Sequence, residues 1–228
     1  MNISESQHDS KLKLLDAAMH VIRAKGYAAA RVEDICESAG LTKGSFFHHF
    51  KGKEDVALAA ADHFAATAAV KFAAAPFRSA ADPLDRLLGY IDFRKAILQG
   101  ALSDFTCLLG TMVQETYDSH PAIRAACDSH LSAHSAALAK DIADAKRLYA
   151  PQAPWSADSL ALYIQAVIQG AFILAKAKQG PSIAGECLEH LRRYLVTQFH
   201  PTTTEHESWP SGKRSPRSSG STTTPKRR

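Results

Sequence analysis

The chain has 228 residues, of which 46% are hydrophobic and 22% are charged, as in an ordinary globular protein with its own core. It contains 40 alanines against 7 valines, and because alanine favours helices whereas β-branched residues favour strands, this composition predicts an all-α fold. The net charge is +4, but residues 201–228 alone carry six basic and two acidic residues. The remainder is neutral, so any nucleic-acid site must come from a local arrangement of charge.

Cysteine usage and the polar N-terminus favour a cytoplasmic protein. The four cysteines are too few and too scattered for a disulfide framework, which suits a reducing compartment. Residues 1–13 are polar, and we expect no signal peptide. The longest uncharged run, residues 159–175, is interrupted by Gln165, Gln169 and Gly170. We therefore interpret this run as a helix buried by protein, and we expect no membrane association.

Helical periodicity and turn residues divide the chain up to residue 200 into about nine helices, three short ones followed by longer ones. The first helix is expected to end at Gly26. Asp82 and Ser156 are placed to cap two of the later helices. Residues 201–228 contain four prolines and almost no aliphatic side chains, which predicts a disordered basic tail.

Residues 31–53 predict two short helices joined by a tight turn. The first has one apolar face, after which Gly40 permits the turn. Thr42 is expected to cap the second helix, in which Phe46 and Phe50 are spaced to face inward. Two short helices joined in this way form a helix-turn-helix, whose second helix enters the major groove of DNA.

The outward side of the second helix carries groups that suit DNA. Thr42 and Ser45 can bond phosphates or base edges, and Lys43 can reach a guanine or a phosphate. Gly44 allows a close approach to the duplex. Residues 41–53 contain three lysines, two histidines and no acidic residue, which gives the neutral body of the chain one basic segment.

The segment from Leu14 to Leu58 resembles the TetR family of bacterial transcriptional repressors. The matching residues are Leu15-Asp16-Ala17-Ala18, Lys25-Gly26-Tyr27, Val32-Glu33-Asp34-Ile35, Ala39-Gly40-Leu41, Lys43-Gly44-Ser45-Phe46, His49-Phe50 and Lys53-Glu54-Asp55. Carried over by position, the resemblance implies DNA contacts from Arg31, Thr42, Lys43, Gly44, Ser45, Phe47, His48 and Lys53. Lys53 begins the next helix, where the N-terminus also favours a phosphate.

The resemblance also implies a domain organisation and partners. We expect a three-helix DNA-binding domain at residues 10–56 and a larger helical effector and dimerisation domain at residues 57–200. The partners would be a double-stranded DNA operator, a small-molecule effector and a second copy of the chain. The homodimer would join through the last two long helices, and we expect its contacts to include Leu191.

Two residues depart from the family pattern. Phe47 stands where the family usually has Tyr, so a hydroxyl that commonly meets a phosphate is missing, although apolar contact with a thymine methyl remains open. The pair Ala30-Arg31 lacks the usual Ser or Thr cap before the first helix of the motif. The missing cap would cost about 1 kcal/mol of local stability.

A weaker resemblance lies in the larger domain. Its residues are Cys107-Leu108-Leu109-Gly110, Glu115, Gln169-Gly170-Ala171 and Ala175-Lys176, and they are similar to TetR regulators that respond to reactive electrophiles and acrylate-like compounds. This resemblance implies that Cys107 is the sensing residue, and a position near a helix start would stabilise its thiolate. The alternative for Cys107 is an inert packed thiol. Gln165 and Gln169 could face either a dimer interface or the effector cavity.

The competing function is a helical enzyme that uses Cys107, or the face formed by Cys127, His130 and His134, of which the two histidines are a metal-capable pair. No nucleophile with its base and no phosphate-binding loop is evident, so we expect no catalytic residue, no metal site and no cofactor. A third alternative is a scaffold protein with a vestigial DNA-binding domain. The prediction is therefore a ligand- or electrophile-responsive transcriptional regulator, a repressor released from a palindromic operator by its effector.

Overall fold

The computed structural model describes residues 3–199, with side chains from residue 8 onward, and this part of the chain contains ten α-helices, one short 3₁₀ helix and no strand. The α-helices are Ile3–Lys25 (α1), Val32–Ala39 (α2), Lys43–His49 (α3), Lys53–Ala73 (α4), Pro83–Ala96 (α5), Leu102–Phe105 (α6), Leu108–Thr116 (α7), Pro121–Tyr149 (α8), Ala157–Lys178 (α9) and Ser182–Phe199 (α10), and the 3₁₀ helix is Pro76–Ser79. The all-α prediction is confirmed. The expected basic tail at residues 201–228 lies outside the described residues.

Two helices differ from the expected pattern of about nine helices, three short ones followed by longer ones. Helix α6 has a single turn of 4 residues, which is too short to show a periodicity in the sequence. Helix α1 has 23 residues, so of the three N-terminal helices only α2 and α3, with 8 and 7 residues, are short.

The expected helix boundaries are held by the side chains that the sequence indicated. Thr42, Asp82 and Ser156 each accept a backbone N–H from the first turn of α3, α5 and α9, at distances of 2.7–3.1 Å. Gly26 and Gly40 follow α1 and α2 with φ angles of 87° and 64°, in the left-handed region that glycine adopts without strain.

Buried apolar side chains form two cores. The first core joins α1, α2, α3 and the start of α4 to α7 and the start of α8, with Phe46, Ile22, Met112 and Ile123 among its fully buried members. The second core joins the end of α4 to α5, α8, α9 and α10. Cys107 is partly buried and packs against both cores. Helix α7 therefore packs with the first three helices, although it begins about 60 residues after α3 ends.

Helix α4 connects the two cores without a break. The expected domain boundary after residue 56 lies inside this helix. Val56 and Ala60 are buried in the first core, whereas Phe72, near the other end, is buried in the second. Because α4 is one continuous helix and α7 and α8 form a further link, the two halves share packing over a broad junction.

The last two helices differ from expectation in which residues face outward. Leu191 is only 3% exposed because it packs into the second core of its own chain, so it is not available for the dimer contact that we expected of it. The exposed apolar residues of this region lie mainly on α9. They are Leu162, Tyr163, Ile173 and Leu174, together with Tyr194 of α10.

Two helices of the described part, α4 and α9, are long and apolar enough to cross a membrane by length and composition alone, with mean hydropathies of 1.3 and 1.6. The core helices of globular proteins meet the same criterion, so this is weak evidence for a membrane span.

Candidate nucleic-acid interface and effector cavity

The helix-turn-helix has one anchored side and one outward side. Phe46 is fully buried and Phe50 is 3% exposed, and their rings lie 5.6 Å apart beneath α3. Phe47 is 58% exposed, although the edge of its ring contacts Phe46. The other outward residues of α3 and its cap are Thr42, Lys43, Gly44 and His48, and Ser45 is half-buried beside them. We call these six residues, 42–45, 47 and 48, the α3 surface.

Gly44 has no steric requirement within the described residues. A Cβ atom at this position would have Thr42 Oγ1 as its nearest neighbour, at 3.6 Å, which is an ordinary van der Waals contact. Its φ angle also lies outside the left-handed region. Alanine would fit here, so the fold itself does not require glycine at position 44.

Lys43 and its partner are both exposed. Lys43 Nζ lies 2.5 Å from Glu33 Oε1, and both side chains are more than half exposed. The hydrogen bond from Lys43 lowers the pKa of Glu33. An exposed ion pair of this kind contributes about 0–1 kcal/mol, so a phosphate can replace Glu33 at small cost.

Arg31 stands at the start of α2 and is 75% exposed. As expected from the sequence, its side chain provides no cap for the helix. Asp34 partly compensates, because its Oδ2 atom accepts the Arg31 N–H at 2.9 Å and its Oδ1 atom pairs with Lys25 at 2.9 Å. The Arg31 Nε atom lies 3.8 Å from Asp34 Oδ2, which is a loose ion pair.

Lys53 occupies an environment that the sequence did not suggest. Its Nζ atom donates to the carbonyl oxygens of Tyr27, Ala28 and Ala30, at 3.0, 3.2 and 3.1 Å, and lies 4.5 Å from the centre of the Tyr27 ring. An ammonium group has three N–H donors, and these three carbonyls use all of them. In this geometry Lys53 fastens the connection between α1 and α2 and has no donor left for a phosphate.

Residues far apart in the sequence line one open cavity of about 190 Å³ between α7 and α9. Its walls include Cys107, Gly110 and Glu115 from the α7 segment, with Gln169 and Lys176 from α9. A second cavity of about 520 Å³ shares Thr111, Glu115 and Lys176 with the first and extends to the end of α1. Five residues of the weaker sequence resemblance therefore converge at one place, namely Cys107, Gly110, Glu115, Gln169 and Lys176.

Cys107 is the N-cap of α7, and its Sγ atom accepts the N–H of Gly110 at 3.4 Å. It is half-buried at the wall of the smaller cavity. Nearby, Lys176 Nζ donates to Thr111 Oγ1 at 2.8 Å. Burial lowers the pKa of Lys176, while the negative charges of Glu115 and of a Cys107 thiolate oppose that change.

The two glutamines of α9 have different surroundings. A Cβ atom on Gly110 would lie 2.1 Å from Gln169 Oε1, so Gln169 lies directly over Gly110 at the cavity wall. Gln165 is buried one turn earlier, and its Oε1 atom has no hydrogen-bond partner within the described part of the chain. Of the two positions left open by the sequence, the cavity is the one that Gln169 takes.

Cys127, His130 and His134 do not share a site. Cys127 is fully buried in the first core, and burial raises the pKa of its thiol to about 11. His130 Nε2 lies 2.7 Å from Asp62, whereas His134 Nε2 is hydrogen-bonded to the Tyr90 hydroxyl at 2.9 Å, where burial lowers its pKa to about 4. Among the side chains described, those of residues 8–199, no group of three or more His, Cys, Asp or Glu is arranged to hold a metal ion.

Comparison with known proteins decides the family. The model for bacterial regulatory proteins of the tetR family matches residues 14–60, and the model for the C-terminal domain of LmrA/YxaF-like transcriptional regulators matches residues 83–183. The chain belongs to the TetR family of transcriptional regulators. Members of this family are regulators and not enzymes, so the enzyme alternative is set aside.

Individual relatives match over different shares of the chain. The transcriptional regulator AcuR of Cereibacter sphaeroides is 25% identical over 81% of this chain and 84% of its own. A solved structure, regulatory protein TetR from Rhodobacter sphaeroides, has a TM-score of 0.72 at 25% identity over 82% of this chain and 97% of its own. The uncharacterized HTH-type regulator YerO of Bacillus subtilis is 30% identical, but this match covers 25% of the chain and only 20% of YerO.

Two contacts that join the halves of this TetR-family protein have no local sequence pattern. Glu115 Oε2 accepts the N–H of Ala28 at 2.7 Å. Arg23 Nη1 donates to the carbonyls of Asp104 and Thr106 at 3.3 and 3.4 Å. The partners in these contacts are separated by 81 to 87 positions in the chain, and periodicity and spacing describe only near neighbours.

Proposed function

We propose that this TetR-family protein is a cytoplasmic repressor that binds a palindromic DNA operator as a homodimer. A small molecule or a reactive electrophile releases it. The observation that carries the proposal is the α3 surface. Its Phe47 ring is exposed, its Lys43 is held only by an exposed ion pair, and the fold does not require glycine at Gly44. Such a surface suits a helix in the major groove, where polar groups meet base edges and phosphates.

The DNA contacts of the proposal are direct for seven residues and indirect for one. Lys43 exchanges Glu33 for a phosphate or a guanine, and Phe47 offers its exposed ring to a thymine methyl. Lys53 acts through the chain it holds, since its donors are occupied. The direct set is Arg31, Thr42, Lys43, Gly44, Ser45, Phe47 and His48.

The homodimer of the proposal is supported by the outer side of α9. Leu162, Tyr163 and Leu174 are each 44% exposed or more, and the Tyr163 ring lies 5.1 Å from that of Tyr194 on α10. Two copies that bury this stripe would form a four-helix bundle of α9 and α10 with their partners. The two DNA-binding domains could then engage two half-sites of a palindrome.

The effector part of the proposal is supported by the two cavities. They lie where the two cores meet, and Cys107 packs against both cores and lines the smaller cavity. An adduct on Cys107, or a ligand beside it, would add volume at this junction and shift one half against the other. A shift of the DNA-binding domains would then lower the affinity for the operator.

The test is selection of duplexes from a random library by the wild-type protein, followed by titration of an enriched duplex at several salt concentrations. We expect Lys43→Ala to weaken binding by about 10-fold and to reduce the salt slope by about one unit. Lys140→Ala, at an exposed lysine of α8, is the matched control and should bind as wild type. Failure of the wild type to enrich any sequence, or unchanged binding by Lys43→Ala, would contradict the proposal.

A further inference from the structure

The connection between α1 and α2, residues 26–31, is held from the DNA-binding side by a single lysine. Lys53 Nζ donates to three of its carbonyls, those of Tyr27, Ala28 and Ala30. We call residues 26–31 the α1–α2 loop. Helix α2 begins immediately after this loop and packs on α3, so the position of the loop affects where the α3 surface lies.

The same loop is held from the effector side by a carboxylate. Glu115 Oε2, on α7, accepts the Ala28 N–H at 2.7 Å. Gly26 makes room for this carboxylate, since a Cβ atom there would lie 2.2 Å from Glu115 Oε1. The ring of Tyr27 adds an edge contact with His120, at a centroid distance of 5.1 Å. The Glu115 carboxylate therefore lies directly against Gly26 and Ala28 of the loop.

Glu115 belongs to the cavities as much as to the loop. Together with Thr111 and Lys176 it forms the wall shared by the two cavities. Burial lowers the pKa of Lys176, and the negative charge of Glu115 opposes that change. One exposed carboxylate thus accepts the Ala28 N–H and also lines both cavities beside Lys176.

We propose that Glu115 is the positioning residue that couples the cavities to the DNA-binding domain. In the geometry described above, Glu115 accepts the Ala28 N–H and keeps the α1–α2 loop in the arrangement that binds the operator. A group that fills the cavity beside Lys176 displaces the carboxylate and releases the Ala28 N–H. The change of partner is a two-state element of the kind that coupling between sites requires. This inference rests on the proposed function and names its internal connection.

The first experiment compares Glu115→Ala with Glu115→Gln, using the duplex that the wild type selects. Glu115→Ala should weaken operator binding by about 10-fold, within the usual range of coupling between sites. Its salt slope should stay at the wild-type value, because Glu115 touches no phosphate. Glu115→Gln keeps an acceptor oxygen for Ala28 and should restore most of the affinity. Asp118→Ala removes an exposed carboxylate three residues later and serves as the charge control.

Hydrogen exchange gives a readout that does not depend on DNA. The Ala28 amide should exchange faster in Glu115→Ala than in wild type and in Glu115→Gln, while amides in the buried part of α4 stay unchanged. Wild type that selects no duplex would overturn the proposed function. Wild type that selects one, with Glu115→Ala equal to it in affinity and in Ala28 exchange, would overturn this inference alone.

The second experiment fills the cavity genetically with Cys107→Trp, or with Cys107→Phe if thermal unfolding shows that the indole disrupts the fold. In the wild-type background the added ring should weaken operator binding. In the Glu115→Ala background it should have little further effect, because the connection is already lost. Equal losses in both backgrounds, or no loss in either, would overturn the coupling through Glu115.

Discussion

The α3 surface and the effector cavity use their side chains in opposite ways. The α3 surface gathers its six residues on one short helix and its cap and leaves five of them exposed, with Lys43 in an exposed ion pair. The two cavities together take their walls from α1, α6, α7 and α9. Lys176 and Glu115 line both of them, and the charge of Glu115 acts on the pKa of Lys176. Substitution of Lys43 should therefore remove one exposed ion pair, whereas substitutions of Lys176 and Glu115 should be coupled.

The largest effect should come from the dimer, because loss of the dimer removes one of the two linked α3 surfaces that would engage the operator. Leu174→Glu, at a 44% exposed position of α9, should yield a monomer in light scattering. Operator affinity should fall by about 100-fold or more, since the second half-site would no longer be engaged by a linked domain. Leu148→Glu, at a 59% exposed leucine of α8, is the matched control and should stay dimeric. A dimeric Leu174→Glu protein would place the interface elsewhere.

The next effect distinguishes two lysines of one motif. Lys53→Met removes the donors of three carbonyls and should lower the free energy of unfolding by about 1–3 kcal/mol. Lys43→Met breaks only an exposed pair and should change it by less than about 0.5 kcal/mol. Urea unfolding of the two variants measures the difference. Equal and small losses would show that the Lys53 hydrogen bonds contribute little to the fold.

The smallest effect concerns the cavity. N-ethylmaleimide should weaken operator binding of the wild type by about 10-fold through an adduct on Cys107, whereas Cys107→Ser should lose little affinity on the same treatment. Cys187→Ser is the control for the other half-buried thiol and should respond as wild type does. If wild type and Cys107→Ser respond equally, Cys107 is a packed thiol and the effector binds reversibly.

The sequence allowed more to be predicted for the DNA-binding half than for the effector half. The turn at Gly40, the cap at Thr42 and the inward pair Phe46 and Phe50 all follow from neighbours within a few turns, where side-chain chemistry acts locally. Reasoning from near neighbours also placed Lys53 at a helix N-terminus and suggested that it binds a phosphate. It could not find the loop carbonyls, which lie 23 to 26 positions earlier in the chain.

The effector half depends on contacts between distant segments. Leu191 has the apolar character of an interface residue, and only its packing assigns it to the core. Glu115 belonged to the weaker resemblance but had no evident role, because its partner Ala28 is 87 positions away. A small cavity built from several helices leaves only scattered polar residues in the sequence, and their convergence becomes visible when the helices are packed.

The most direct test of the whole account is lysine acetylation of the wild-type protein by an N-hydroxysuccinimide ester, read by mass spectrometry with and without the selected duplex. Lys43, more than half exposed, should be acetylated in the free protein and protected by the duplex. Lys53, with its donors on Tyr27, Ala28 and Ala30, should react slowly in both states. Lys140 of α8 should react equally in both. Protection of Lys53 by the duplex, with Lys43 unaffected, would contradict the assignment of DNA contact to the α3 surface and of the loop to Lys53.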